Sequence, residues 1–282
     1  MNETEHGPLD NDQTTGKEEL VSIQSYIGDG YELPNGEETD KIAEAARAEI
    51  EAAVKEFFQV NYHTEIVLHN IVGNVDGATV FVESVGEPHF YTYAIVPMDV
   101  ANKKVLADQI WTQEGEVERA IIAGLYAMIF EDELATLDNY FEQLTAEYPV
   151  VGFQEEAIEN VMGSGYTTPY YFISIPRANF NTLYEMYQEN REISKAALKN
   201  SIRSSYDPKQ VTFSIQLFMK EANKEPDPQI FDQIIKDIEA MEGLPKGSYS
   251  VRLNDNYIDK ATGNGVKENT LERAHPNEII KQ

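Results

Sequence analysis

The chain has no cysteine, which excludes disulfides, thiolate metal centres and cysteine nucleophiles within its 282 residues. It also has no apolar run near the roughly 18 residues that cross a bilayer. The densest stretch, AIIAGLYAMIF from Ala120 to Phe130, is too short for that and suits a buried helix. Met1 is followed by Asn, Glu and Thr rather than by a basic segment and an apolar core, so no secretory leader is read here. Basic residues are scarce: 22 Lys and Arg face 49 Asp and Glu, a formal charge of −27. Such a polyanion is repelled by phosphate, which excludes direct contact with nucleic acid or an anionic lipid surface. The same field favours cationic peptides, metal ions or neutral ligands, and it also serves solubility.

Enzyme signatures are missing too. There is no G-x-x-x-x-G-K-[ST] phosphate loop, no H-E-x-x-H and no G-x-S-x-G elbow. GDG at Gly28 and GNG at Gly263 lack the third glycine and preceding strand of a dinucleotide site, and Gly163-Ser164-Gly165 reads as a loop. NDNYIDKATGNG offers oxygens at Asn254, Asn256 and Asp259, without the turn glycine and late glutamate of a calcium loop. No catalytic residue, metal or cofactor is expected.

The remainder is rich in secondary-structure signals. Residues 1–20 are polar and acidic and cannot bury enough apolar surface to offset ordering, so they are expected to form a disordered tether. Ile42, Ala46, Ile50, Val54, Phe57 and Phe58 follow helical spacing over about five turns, with Thr39 as a candidate cap. TEIVLHNIV, TVFVESV and HFYTYAIVPMD are separated by short turns at Asp76-Gly77 and Gly86-Glu87, which specifies an antiparallel meander. A second long helix from Glu116 to about Glu147 is apolar all round in its first half, so it is expected between the sheet and another element. YYFISIP, QVTFSIQLFMK and GSYSVRLND read as strands, and Asp227-Pro228 caps a helix that Gly243 closes. This pattern predicts an α+β fold, mainly antiparallel sheet with helices on one face, in one lobe or two of similar size. The expected lobes are residues 21–149 and 150–260, with a polar tail over 261–282.

One constellation combines titratable groups. His63 and His69 lie roughly 20 Å apart along an extended strand, too far to share an ion. Across the meander, two-residue turns would set His69 beside Ser84 and Ser84 beside His89, with Tyr91 continuing the face. That row is a candidate ligand or proton site; its plainer reading is a set of satisfied histidines on a half-solvated sheet. The cluster Tyr166, Tyr170, Tyr171, Tyr184 and Tyr187 suits sugars or peptides, and suits a core better.

The phrases HNIVGNVDGATVFVESVGEPHFYTYAIVPMDV, WTQEGEVERAI, GLPKGSYSVRLNDNYIDKATGNG and KENTLERAHPNEIIK resemble a family of lipoproteins from Gram-positive bacteria known only as a domain of unknown function. The resemblance extends over roughly residues 20–282. It implies an export signal and a lipid-modified cysteine ahead of the mature chain, with Met1 standing at or beside that cysteine. It therefore implies a place on the extracytoplasmic face of the membrane, attached only through a lipid anchor this chain does not contain. It supplies no catalytic residues. The expectation is a tethered, non-catalytic binding module for a cationic peptide or envelope component. An unrecognised envelope hydrolase and a purely structural or antigenic surface protein are the alternatives.

Overall fold

In the computed structural model, residues 19–202 and 206–282 are described; the expected tether lies almost wholly outside them. Within them, eight helices and thirteen strands follow in the order β1 (Leu20–Ser22), α1 (Glu37–Ala45), α2 (Arg47–Tyr62), β2 (Ile66–Asn74), β3 (Gly77–Ser84), β4 (Tyr91–Asp99), β5 (Lys104–Val105), α3 (Glu116–Ile129), α4 (Glu131–Glu147) and β6 (Val150–Val151). There follow α5 (Glu155–Ala157), which runs into a π turn (Ile158–Met162), β7 (Tyr166–Thr167), β8 (Tyr171–Ser174), α6 (Arg177–Glu189), α7 (Lys195–Ile202), β9 (Thr212–Met219) and α8 (Pro228–Ala240). The chain closes with β10 (Gly247–Asn254), β11 (Tyr257–Asp259), β12 (Leu271–Arg273) and β13 (Ile279–Lys281). The fold is α+β with mostly antiparallel sheet.

The expected meander is present as β2-β3-β4-β5. Successive side chains of a strand point to opposite faces, so each side of this sheet collects its own set. Ala78, Val80 and Val82 of β3, with Ala94 and Val96 of β4, join the main core with Ile50, Val54 and Phe58 of α2. On the other side, Phe81 and Val72 meet Ile23 and Tyr26 of the N-terminal arm, Val161 of the π turn and Ile258 of β11.

The second sheet runs β12-β10-β9-β8-β7, with β6 on β9 and β13 on β10. Here the structure departs from the all-hairpin reading, because β9 and β10 are parallel. The reason is α8, the crossover that a parallel pair requires. Its N-terminus is formed as the sequence predicts: the Asp227 carboxylate accepts from the Gln229 and Ile230 N–H groups, with Pro228 next. Phe213 and Tyr249, register partners across the parallel pair, stack at 4.3 Å and 3°.

Helix α3 joins the two halves. It packs against β4 on one side and against α6, α7, β7 and β8 on others, which accounts for its apolar circumference. The buried cluster runs without a break from Ile42 to Ile279, so the boundary near Pro149 divides the chain but not the core. Both predicted long helices are broken once, at Ala46 and at Phe130. Thr39 lies inside α1 rather than capping it; its hydroxyl donates to the Gly36 and Asn74 carbonyls.

Residues 261–282 are not a free tail. β12 and β13 pair with β10, and Ile279 is buried. The segment is fastened by Lys267, whose Nζ donates to Asp255 Oδ1 at 2.6 Å and to the Tyr257 carbonyl at 2.5 Å. Burial alone would raise the Asp255 carboxyl, but hydrogen bonds from Lys267, the Tyr257 N–H and Asn269 overcome it and hold it below the usual range. A carboxyl with a depressed folded-state pKa stabilises above its unfolded pKa and loses that contribution as pH falls through the folded value. Lys267→Met is therefore expected to cost about 1–2 kcal/mol at pH 7 and to flatten the loss of stability as pH falls below the ordinary carboxylate range. Urea denaturation at pH 7 and through the acid range measures both effects.

Candidate functional site

The structure brings two of the sequence-predicted histidines together, through a residue the sequence reading did not single out. The β2–β3 ladder shifts register between Leu68 and Asn70, which makes His69 the extra residue of a β-bulge. The bulge frees the His69 carbonyl from the ladder, and Arg47 of α2 donates to it at 3.0 Å. Glu83, opposite Val67 and Tyr91 in the register, lies between the two imidazoles. Its Oε2 is 2.7 Å from His69 Nε2, and its Oε1 is 2.7 Å from His89 Nε2. Glu159, from the π turn, approaches the opposite side of the His69 ring, with Oε2 3.8 Å from Nδ1.

Ser84 does not take part. It pairs with Ile66 rather than His69, and it occupies the pleat opposite Glu83, on the core side. There its Oγ accepts from the Phe90 N–H and donates to the Pro88 carbonyl, both at 2.9 Å. This serine organises the loop that carries His89, and its hydroxyl is fully used. The predicted row of His69, Ser84 and His89 thus differs from the observed trio of His69, Glu83 and His89. One residue of slip in pairing moves a side chain to the other face.

Tyr91 borders the trio. The His89 ring meets it edge-on at 5.0 Å, and Tyr166 flanks the same imidazole at 6.1 Å. Burial, then the charges of Glu83, Glu159 and Glu155, raises the Tyr91 phenol above its usual range. Tyr166 is pushed up to about 12, first by burial and then by Asp138, Glu87 and Glu131. Both phenols therefore stay protonated near neutrality. The Gly163-Ser164-Gly165 loop clamps Tyr91: Gly165 exchanges backbone hydrogen bonds of 2.8 and 2.9 Å with it. A Cβ on Gly163 would stand 2.5 Å from Tyr91 Cγ, so the loop closes on this ring only as glycine.

Two irregularities build the centre. A β-bulge aims His69 and a π turn delivers Glu159; both kinds of distortion occur often at functional sites. The trio and Glu159 are partly exposed at the surface, with side-chain exposures of 13% for His69, 22% for Glu83, 32% for His89 and 33% for Glu159. His69, Glu83 and Glu159 each present one ligand atom, and the three lie within 4.8 Å of one another.

Elsewhere the sequence candidates take structural places. His63 closes α2 in the left-handed conformation, away from His69 in sequence and element. Asn254 and Asn256 turn inward: Asn254 Nδ2 donates to the Leu217 carbonyl, and Asn256 Nδ2 to the Met219 and Lys220 carbonyls. Asp259 accepts from the Thr262 N–H and hydroxyl. The calcium-like spacing is spent on holding β9, β10 and the loop after β11. Tyr171 and Tyr187 are buried, and Tyr166, Tyr170 and Tyr184 are half-buried against the core. Among the described residues, no helix is long and apolar enough to cross a membrane.

No functionally curated protein matches the chain. A crystal structure of a DUF1672 family protein from Staphylococcus aureus subsp. aureus Mu50 superposes over 95% of this chain and 100% of that one, with a TM-score of 0.75 and 18% sequence identity. That likeness is one of fold. A family described as protein of unknown function, DUF1672, matches residues 13–281, and the chain belongs to that family.

Proposed function

We propose that the chain is a non-catalytic binding module, held by lipid at the extracytoplasmic face of the membrane, that receives its ligand at the Glu83 centre. The observation that carries this reading is the geometry around Glu83: one carboxylate fixed by two imidazoles, facing solvent beside Tyr91, with the neighbouring serine hydroxyl already committed. A nucleophile needs a base within hydrogen-bond reach, and Ser84 spends its hydroxyl on backbone groups instead. The charge of −27 draws cationic ligands toward such a surface. Lipid attachment follows from the family resemblance, and the acidic body would stand clear of an anionic bilayer unless an anchor held it there.

The test is a binding screen of cationic peptides and soluble envelope fragments by fluorescence anisotropy, with Glu83→Gln as the site control. The expected result is a dissociation constant of about 1–10 μM for at least one of them, weakened about tenfold or more by Glu83→Gln. Binding that ignores Glu83→Gln, or turnover of an envelope fragment, overturns the reading. Fractionation of producing cells tests the tether: the chain should partition with membranes and enter solution with detergent rather than salt.

A further inference from the structure

The geometry points to a divalent transition-metal site of the zinc class formed by His69, Glu83 and Glu159. It rests on the reading of this centre as the ligand site and names its ligand more closely. The donor set is one imidazole and two carboxylates, from three separate elements: the bulge of β2, the strand β3 and the π turn. Zinc bonds of about 2.0–2.2 Å put tetrahedral ligand atoms roughly 3.3–3.6 Å apart. The three atoms here lie within 4.8 Å of one another, and an ion would draw Glu83 from its contact with Nε2 and Glu159 from beside Nδ1 onto one His69 nitrogen.

Chemistry selects the class of ion. Imidazole nitrogen suits zinc, copper, iron and nickel, whereas calcium takes six to eight oxygens and magnesium an octahedron kept partly hydrated. Three protein ligands leave a position for water or for a group of a bound partner. His89 is a positioning residue here. Its Nε2 holds Glu83 Oε1, fixing the carboxylate while the other oxygen turns to the ion. An ion would also relieve the crowding of Glu83 and Glu159 about one ring in a chain of strong negative charge.

The experiment is titration of the chelator-treated full chain with Zn²⁺ by calorimetry, alongside His69→Asn, Glu159→Gln and His89→Asn. Folding of each variant is checked by circular dichroism. One Zn²⁺ per chain is expected, with a dissociation constant of about 1 μM or tighter. His69→Asn and Glu159→Gln should each weaken it about 100-fold or more, and His89→Asn about 10–100-fold. Co²⁺ in the same site should show visible absorption that His69→Asn abolishes and His89→Asn keeps. Absence of Zn²⁺ binding at about 100 μM overturns the assignment, as does binding that His69→Asn and Glu159→Gln leave unchanged. Displacement by millimolar Ca²⁺ overturns it as well. If zinc fails but peptide or envelope capture still depends on Glu83, the metal assignment falls and the binding reading stands. If zinc binds through these residues and the screen is blank, the reverse holds.

Discussion

Asn256→Asp is expected to cost about 3–5 kcal/mol, far more than its size suggests. Asn256 is 1% exposed, and its Nδ2 donates to three acceptors: the Met219 carbonyl at 2.9 Å, the Lys220 carbonyl at 3.0 Å and Gln24 Oε1 at 3.2 Å. One amide thereby ties the end of β9 to the loop before β11 and to the N-terminal arm. Aspartate replaces this donor with a carboxylate oxygen that faces those same oxygens in a buried site. A buried charge lacking a partner either stays ionised at high cost or takes up a proton. The melting temperature should fall by about 6–20 °C, taking about 2–4 °C per kcal/mol for a chain somewhat larger than 150–250 residues. The sign of the pH dependence follows from the same chemistry. The introduced carboxyl has a folded-state pKa above its unfolded value, so the penalty grows as pH rises past the ordinary carboxylate range and shrinks toward pH 4. Scanning calorimetry at two pH values checks this. A variant equally stable at both, or within about 0.5 kcal/mol of the parent, would show that the amide does not bridge these segments.

The same residue shows why part of the fold was hidden from sequence reading. Asn254 and Asn256 read as a polar loop and residues 261–282, with Lys267, as a polar tail, because composition registers polarity and not pairing. In the structure the side-chain nitrogens of all three are spent on backbone carbonyls at strand ends or on another polar side chain. Elements governed by local rules were legible. The Asp227-Pro228 cap, the meander and the all-round apolar α3 each follow from spacing within one segment. The parallel pairing of β9 with β10 was not, because two apolar strands look alike whether or not the helix between them carries the chain back to start in the same direction. At the candidate site, periodicity pointed to His69 and His89 but missed both carboxylates. The bulge at His69 shifts register without a sequence marker, and Glu159 sits in a π turn that follows neither period. Glu83 did leave a signal, as the one acid in the apolar run TVFVESV.

Gly124→Ala should destabilise the chain even though it replaces glycine in the middle of a helix. In an open helix that change gains about 1 kcal/mol from propensity. Within α3 it meets the loop that carries His89. A Cβ on Gly124 would lie 2.5 Å from the His89 carbonyl oxygen, 3.1 Å from its carbonyl carbon and 3.2 Å from Pro88 Cβ. Two of these atoms are backbone, and the loop has little room to retreat. The Ser84 hydroxyl holds the Pro88 carbonyl on one side of His89 and the Phe90 N–H on the other. Overpacking of this kind costs about 1–3 kcal/mol, and here it acts against backbone rather than a flexible side-chain end, so it exceeds the propensity gain. The expected net loss is about 1–2 kcal/mol in urea denaturation at pH 7. A second effect separates this mechanism from a general weakening of α3. Relief of the clash moves His89 away from the core, and its Nε2 leaves Glu83 Oε1. Zinc affinity should therefore drop to the level of His89→Asn, while a comparably destabilising change at the far end of the core, such as Ile238→Val, leaves it unaltered. A more stable Gly124→Ala chain with full zinc affinity would mean that α3 and the His89 loop are not in contact, and that the histidine is held by Glu83 alone.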